Sequence, residues 1–250
     1  MRAMADPESP RRSRPERPGG RGGTGGRAPR RRASHSLEAV VAEAVALLDE
    51  AGEQALTFRA LAARLGGGVG SIYWYVSGKD ELVDRASDHV LASVLAATDR
   101  RTGSEDPVDD VRAIAVSLFD ALVTRPWLGA YFLRDAELQP NGLLLYERLG
   151  QQVMRLGMAP RPTFEAVSAV MGFVIGTAAD LGRTPRADAD ADGRDAGLGD
   201  VVERWRGLDE AAFPFVHLVL EEFATHDDGE QFRAGLDLLL AGVRLRASRG

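Results

Sequence analysis

The sequence predicts an all-α protein in which a three-helix unit precedes a larger helical body. Apolar residues recur at three- and four-residue spacing along most of the chain after Ser34, as they do on one face of a helix. Prolines stand near the starts of several such segments, where a missing amide costs little, and no useful alternating strand pattern occurs. The 250 residues divide into an arm at 1–33, a unit at 34–80 and a body at 81–250.

An arginine-rich arm opens the chain. Residues 1–33 hold ten arginines and three acidic residues, a net charge of +7, whereas the whole chain carries −6. The arm is dense in glycine and proline and poor in apolar residues, so we expect it to be disordered. It lacks the apolar core of a secretory signal. A basic arm on an acidic body suggests a polyanionic partner for the arm.

Composition excludes several classes of site. The chain has no cysteine, which rules out disulfides and thiolate metal sites. No apolar run approaches the length needed to cross a membrane, so we predict a cytoplasmic protein without a membrane partner. The segment DADADG at 188–193 begins like a calcium-binding loop, but Gly199 stands where that loop needs a glutamate. No metal site is therefore predicted.

The first two helices of the unit have clear start and stop signals. Ser34 or Ser36 can cap the first helix, and Gly52 can end it in a left-handed turn. Thr57 caps the second helix, and the three glycines at 66–68 end it. The apolar residues between these signals recur at helical spacing and form one stripe on each helix.

Three consecutive aromatic residues mark the third helix, which we predict over residues 69–76. Tyr73 is offset from the core positions of this helix, and Tyr75 is offset further. A tyrosine on the outer face of a DNA-bound helix can donate its hydroxyl to a phosphate and lay its ring on the sugar backbone. Trp74 is expected to pack between this unit and the long helix that follows.

A capping box is predicted to start the long helix that joins the unit to the body. Ser77 and Asp80 have the S-x-x-D spacing in which each side chain bonds to the other's free amide. The long helix extends over about 78–98. Further helices are predicted at about 107–124, 126–135, 139–157, 163–181, 209–225 and 229–247, with a mobile polar loop at 182–200.

Two short helices separated by a glycine-containing turn are typical of a helix-turn-helix. In that motif the second helix, here 69–76, enters the major groove and reads bases with its first residues, while flanking groups hold phosphates. The unit at 34–80 has a net charge of −3, so it offers little non-specific attraction to DNA. We therefore expect residues 1–33 to supply much of the salt-dependent affinity.

The segment LTFRALAARLGGGVGSIYWYVSGKDELVDRASDHVL, residues 56–91, resembles the DNA-binding domain of the TetR family of bacterial transcriptional repressors. The family pattern L-T-x-R-x-L-A-x-x-L-G is matched from Leu56 to Gly66. The later pattern of two tyrosines and a lysine is matched by residues 71–82. The match is specific, whereas a helix-turn-helix signal alone would be weak.

The resemblance implies roles for individual residues of the motif. Arg59 would reach a guanine, whose two acceptors suit the forked guanidinium. Gly70 and Ser71 would lie at base edges. The residues that would hold phosphates are Thr57, Tyr73, Tyr75 and Lys79, the last being the only lysine in the chain.

The body resembles the C-terminal domain of the tetracycline-repressor type within this family, most clearly at 165–182 and in the last helix. The resemblance implies a homodimer in which these two helices pair with their copies as a four-helix bundle. A dimer also suits DNA, because a two-fold protein reads a near-palindrome. The residues expected at the interface are Ala169, Gly172, Gly176, Leu236, Leu239, Leu240 and Val243.

The resemblance further implies a small-molecule effector inside each body, whose binding shifts the spacing of the reading helices. An apolar or aromatic effector is the expected kind, and no cofactor is predicted. Tetracycline is not implied, because Leu95 and Arg125 stand where histidines would hold its magnesium chelate. The candidate pocket residues, each of which also fits an ordinary core position, are Phe119, Leu122, Trp127, Tyr131, Met154, Phe173 and His217.

Two other functions remain open at this point. An enzyme has little support, because the four histidines of the chain show no ligand or triad spacing. A helical small-molecule-binding protein without specific DNA binding is the other, since the glycine-rich turn makes the reading helix flexible. We predict a ligand-responsive, homodimeric repressor that is not an enzyme and whose partners are operator DNA, a second copy and a small molecule.

Overall fold

The computed structural model describes residues 35–99, 103–133, 139–183 and 191–249, so the arm at 1–33 lies outside the described residues. Within these ranges the chain forms helices and no strands, which confirms the predicted all-α fold. The helices are α1 (Leu37–Ala55), α2 (Phe58–Arg64), α3 (Val69–Ile72), α4 (Lys79–Asp99), α5 (Pro107–Thr124), α6 (Pro126–Leu133), α7 (Pro140–Met154), α8 (Pro160–Arg183), α9 (Ala191–Arg206), α10 (Pro214–Leu218), α11 (Leu220–Thr225) and α12 (Asp228–Ala247).

Local signals set the starts of α1 and α2, as predicted. Ser36 Oγ accepts a hydrogen bond from Ala39 N at 3.1 Å, and Thr57 Oγ1 accepts one from Ala60 N at 3.1 Å. α1 kinks at Gly52, whose φ of 72° is a conformation that glycine adopts without strain. These caps satisfy amides that a helix start otherwise leaves unpaired.

The turn between α2 and α3 is a Schellman motif followed by a glycine cap. Gly66 has a φ of 67° and donates to the carbonyl of Ala63 at 3.2 Å, while Gly67 N donates to Ala62 O at 2.9 Å. Gly68 is the N-cap of α3. The glycines therefore end α2, as predicted, and return the chain so that α3 packs against α2.

α3 is shorter than predicted. Its regular part ends at Ile72, and residues 73–75 continue as turns closed by a bond of 2.9 Å from Tyr75 N to Ile72 O. Gly70, inside this short helix, weakens helix formation here. Val76 at the end of the turns is buried, which directs the chain inward before α4 begins.

The start of α4 differs from the predicted capping box. Ser77 bonds to Glu81 and not to Asp80, since its amide and its hydroxyl both donate to Glu81 Oε2 at 2.7 Å. α4 begins at Lys79, after Gly78, so Glu81 is the third helical residue. A side chain at that position reaches back over the helix start, which is why the acid one residue later than predicted makes the bond.

α4 connects the α1–α3 unit to the body. It packs against α1 and also against α5 and α7. Its buried residues Leu82, Leu91 and Leu95 belong to one hydrophobic core that continues from α1–α3 into α5, α7 and α8. A movement of α4 would therefore change the packing of both the α1–α3 unit and the body.

The chain after α8 is more helical than predicted. The sequence predicts a mobile loop at 182–200, but Ala191–Arg206 is helical and packs against α11, while residues 184–190 lie outside the described part. This helix contains few apolar residues, so the sequence shows no helical spacing of apolar residues there. The helix predicted over 209–225 is instead two short helices that meet at Val219.

α8 is more apolar than predicted. Its segment Pro160–Leu181 is long and apolar enough to cross a membrane by length and composition, so the statement that no such run exists was wrong. The buried side chains on α8 include Val170 and Val174, and the helix packs against α5, α6, α7 and α12. A core helix of a helical body passes the same test.

Candidate nucleic-acid interface and effector cavity

One face of the α2–α3 pair is buried in the core, and the opposite face is exposed to solvent. Leu61 on α2 and Ile72 on α3 are fully buried, and they hold the two short helices together. Arg59 and Tyr73 lie on the exposed side of the same elements. The packing therefore presents these two side chains to solvent on a fixed framework.

Three large side chains of this outer face are highly exposed, namely Arg59, Tyr73 and Trp74. Arg59 is exposed and forms no salt bridge with any described residue. Tyr73 is 61% exposed, and its ring meets Phe58 edge-on with 4.8 Å between centroids, which positions the ring. Trp74 is 88% exposed, so the prediction that it packs against α4 is wrong. An indole this exposed is a candidate contact surface.

Thr57, Gly70 and Ser71 are the predicted contacts with the smallest side chains. The Thr57 hydroxyl accepts the α2 cap bond and keeps its proton for a partner. Ser71 Oγ donates to Gly68 O at 2.6 Å, so its proton is used inside the turn. A Cβ on Gly70 would meet nothing within 4 Å. The fold does not need glycine at that position, so the missing side chain leaves space for an outside molecule.

Tyr75 and Lys79 are predicted phosphate contacts whose polar groups bind within the protein. The Tyr75 hydroxyl donates to the His35 carbonyl, which braces the end of α3 and leaves no proton for a phosphate. The predicted role of Tyr75 is therefore corrected to a bracing one. Lys79 Nζ donates to the Glu53 carbonyl at 2.6 Å. An ammonium has three protons, so exposed Lys79 can still hold a phosphate.

The Ser77–Glu81 contact makes the junction of α3 and α4 sensitive to acid. Donation from the Ser77 amide, from its hydroxyl and from Arg85 lowers the pKa of Glu81 to about 2. A carboxyl group whose pKa is lowered by folding stabilises the protein above its unfolded pKa. That contribution is lost as the pH falls from 4.5 toward about 2.

We expect Glu81→Gln to lower the free energy of unfolding at pH 7 by about 1 kcal/mol, the usual size of a capping contribution. The difference from wild type should shrink as the pH falls from 4.5 toward about 2, because wild type then loses the same ionised group. Urea unfolding at several pH values measures it, with exposed Glu105→Gln as the matched control. A difference that stays constant over this range would contradict the assignment.

One carboxylate connects α1 to the body. Asp49 accepts hydrogen bonds from Arg125 Nε at 3.1 Å and from Trp127 Nε1 at 2.8 Å, where α5 meets α6. Leu95 is buried in the core. Neither Leu95 nor Arg125 can serve as a metal ligand, in keeping with the exclusion of a tetracycline chelate. In the described ranges no group of three or more His, Asp or Glu could hold a metal, and segment 188–193 is only partly described.

Four of the predicted effector residues belong to the packed interior. The ring of Phe119 stacks on Phe232 with 3.6 Å between centroids. These side chains fill the space between α5, α6 and their neighbours, and they do not line either of the two cavities described below. The four buried residues are Phe119, Leu122, Trp127 and Tyr131.

Two more predicted effector residues, Met154 and His217, do not line the two cavities described below. Met154, at the end of α7, is 65% exposed, because it falls on the outer side of that helix. His217 Nε2 lies 3.0 Å from the Leu208 carbonyl, a contact that ties α10 to the loop before it. Phe173 is the member of the predicted set that lines one of these two cavities.

Two adjoining cavities lie elsewhere in the body. The larger, of about 660 Å³, is bounded by α9, α10, α11 and α12, and the smaller, of about 520 Å³, by α8, α11 and α12. Both are lined by Phe223, His226 and Gln231. The aromatic residues of 205–226 were a visible signal for this site, but only the folded chain shows that they face a common space.

α8 and α12 each present an exposed face of small or apolar residues. On α8 this face contains three predicted interface residues, Ala169, Gly172 and Gly176. On α12 it contains Leu238 and Leu245, which are 78% and 53% exposed. The exposed leucines and the glycine face together form an apolar patch on the surface of this chain.

The α12 residues predicted for the interface lie on the wrong face. Leu236, Leu240 and Val243 are buried in the core of their own subunit, and Leu239 is partly buried against it. They pack inward against α5 and α8, so they are not available to a partner. The outward face of α12 is offset from them and passes through Ala241 and Gly242.

Together these features define a class of protein. A helix-turn-helix with a free outer face is joined by one long helix to a helical body that has a cavity and an exposed apolar face. A family model described as "Bacterial regulatory proteins, tetR family" matches residues 40–86, and one described as "Tetracyclin repressor-like, C-terminal domain" matches residues 101–247. The chain belongs to the TetR family of transcriptional regulators, which confirms the predicted family and the prediction that it is not an enzyme.

Three known proteins illustrate the similarity. The transcriptional regulator SCO7222, a TetR from Streptomyces coelicolor, is 39% identical, has a TM-score of 0.73, and is matched over 99% of its chain and 85% of this one. The transcriptional repressor DrrR1 of Streptomyces coeruleorubidus is 28% identical over 84% of this chain and 77% of its own length. A regulator from Saccharopolyspora erythraea is 32% identical over 55% of this chain, which spans 57% of that relative.

Proposed function

We propose that this regulator is a repressor that binds a near-palindromic operator as a homodimer and releases it when an aromatic small molecule occupies its body. The observation that carries the DNA-binding part is the free outer face of α2 and α3. There Arg59, Tyr73 and Trp74 are exposed, and Gly70 leaves space for a base pair to approach. A guanidinium reads guanine, and a tyrosine hydroxyl or a lysine holds phosphates.

Residues 34–80 are proposed as the DNA-reading part and residues 81–250 as the effector and dimerisation part. The exposed face of α8 and α12 supports the dimer, with Leu238 and Leu245 replacing the buried residues first expected on α12. A two-fold axis there would present two copies of α3 to successive major grooves. A repressor of this kind works in the cytoplasm, where its DNA lies.

The cavities beside α8 support the effector part of the proposal. An effector releases DNA only if it prefers the conformation that fits DNA poorly. α8 contacts α5, α6 and α7, and α7 and α5 contact α4, which carries the reading unit. A rearrangement around the cavities therefore has a packed route to the DNA-binding helices.

Selection of binding sites from random DNA by the full-length protein tests the proposal. We expect enrichment of a near-palindrome whose half-sites are about 10 base pairs apart, or a multiple of that spacing. Absence of any enriched sequence would contradict it and would favour a helical small-molecule-binding protein without specific DNA binding.

Deletion of residues 1–33 is expected to reduce the salt dependence of DNA binding, because the arm has a charge of +7 whereas residues 34–80 have −3. Each lost arginine–phosphate contact should lower the slope of log affinity against log salt by about 0.9. Titrations at several salt concentrations measure the slope. A variant that keeps the arm with its ten arginines changed to glutamine separates charge from length. An unchanged slope in both variants would contradict the role of the arm.

A further inference from the structure

We infer that the effector of this protein is a lipophilic aromatic cation, bound in the two adjoining cavities between α8, α9, α11 and α12. The inference rests on the proposed function, and it names the chemistry of the ligand that the body would take. Three observations carry it: the aromatic walls, the charge of the lining, and the position of the cavities beside the exposed face of α8 and α12.

Aromatic rings contribute to the walls of both cavities. Trp205 and Phe223 lie 4.3 Å apart between centroids at an interplanar angle of 26°, and Phe223 and His226 lie 5.4 Å apart at 24°. Phe173 adds a ring on the α8 side. Aromatic faces carry partial negative charge, so such walls bind aromatic ligands by stacking and cations by cation–π attraction.

The charged side chains that line the two cavities are mostly acidic. Glu222, Asp227 and Glu230 line the larger cavity, and Asp180 and Asp228 line the smaller one. No lysine or arginine is among the described residues that line either cavity. His226 lies 3.2 Å from Asp228 and is the only other titratable group there. Five carboxylates around aromatic walls attract a cation and repel an anion.

Two arginines at the end of α9 do not neutralise this lining, because they bond elsewhere. Arg204 Nε donates to the Asp200 carbonyl at 3.2 Å, within α9. Arg206 pairs with Glu203 and, at 3.4 Å, with Glu221, neither of which lines a cavity. These two arginines therefore do not reduce the negative charge of the carboxylates that line the larger cavity.

The cavities also touch the face proposed for dimerisation. Gly176 of α8 lines the smaller cavity and belongs to the exposed face of that helix. Ala234 of α12 lines the larger cavity, one turn before Leu238. A ligand seated here lies beside the surface whose geometry would set the distance between the two reading heads.

A pair of ions with the same shape and opposite charge tests the inference. Isothermal titration of the full-length, DNA-free protein would use tetraphenylphosphonium and tetraphenylborate as probes. We expect the cation to bind at least about tenfold more tightly than the anion, the ratio that attraction to the rings and carboxylates supplies. Equal binding of the two ions, or tighter binding of the anion, would overturn the inference.

Single neutralisations locate the site. Glu222→Gln and Asp180→Asn should each weaken binding of tetraphenylphosphonium by about three- to tenfold, because each removes one charge from a cavity wall. Glu105→Gln removes an equal charge from an exposed position in the loop before α5 and should leave the affinity unchanged. An equal loss in all three variants would mean that only the overall charge attracts the cation, and would overturn the site.

The same samples separate this inference from the proposed function. DNA binding without preference for the cation would leave the regulator proposal standing and remove the inference. Cation binding at this site by a protein that selects no DNA sequence would contradict the regulator proposal and leave the cation site standing. Circular dichroism of each variant confirms that the helices are intact before the affinities are compared.

Discussion

The variant Leu238→Glu is expected to be a monomer that has lost its operator affinity. Leu238 is 78% exposed on the outer face of α12 and lies in the centre of the interface we propose. Each copy of the variant would carry a carboxylate into a contact that leaves it unpaired, which is strongly unfavourable. Monomers can occupy only one half-site at a time. We expect operator affinity to fall by at least about a hundredfold, because the base contacts of the second half-site are lost.

A leucine on another helix supplies the matched control for this prediction. Leu143→Glu makes the same change on α7, where Leu143 is also exposed. Analytical ultracentrifugation should show a dimer for wild type and for Leu143→Glu, and a monomer for Leu238→Glu. A dimer in all three proteins would place the interface elsewhere.

Arg59→Ala is the second change with a large expected effect. Arg59 forms no salt bridge with described residues, so its removal should hardly alter the fold. A bidentate contact to guanine contributes about 1–3 kcal/mol of discrimination, and a dimer makes it twice. We therefore expect specific affinity to fall by at least about thirtyfold, with little change in binding to unrelated DNA. Arg59→Lys should recover only part of this loss, since an ammonium lacks the fork.

Arg64→Ala is the charge-matched control on the same helix. Arg64 is bonded to Glu50 and lies 3.8 Å from Glu43, so its charge is already neutralised within the protein. It should therefore affect sequence-specific binding much less than Arg59→Ala. Equal losses in the two variants would show that Arg59 acts only through its positive charge and would remove its role in reading bases.

Features that depend on neighbours in sequence were predictable. The caps at Ser36 and Thr57 and the glycine turns at Gly52 and Gly66 each involve residues a few positions apart, so the sequence displays all the partners. The capping box failed by one residue, because Asp80 and Glu81 both stand within reach of Ser77 and only the geometry of the helix start decides between them.

Features that depend on packing between helices were not predictable. α12 has leucines on two faces, and periodicity cannot tell the face that meets α5 and α8 from the one left outside. Leu236, which was predicted for the interface, is therefore buried in the core, whereas Leu238, which was not singled out, is exposed. The cavity residue Trp205 meets Phe223 only through the packing of α9 on α11, and the sequence shows no helical period for α9.

Fluorescence anisotropy on short duplexes tests specific DNA reading by α3 most directly. The full-length protein would be titrated into the near-palindrome enriched from random DNA, into tiles of its own upstream region, and into a scrambled duplex of the same composition. We expect salt-sensitive binding to the near-palindrome at least about a thousandfold tighter than to the scrambled duplex, and loss of that preference in Arg59→Ala. Equal binding to all duplexes would contradict specific reading and would leave only non-specific attraction between the arm and DNA.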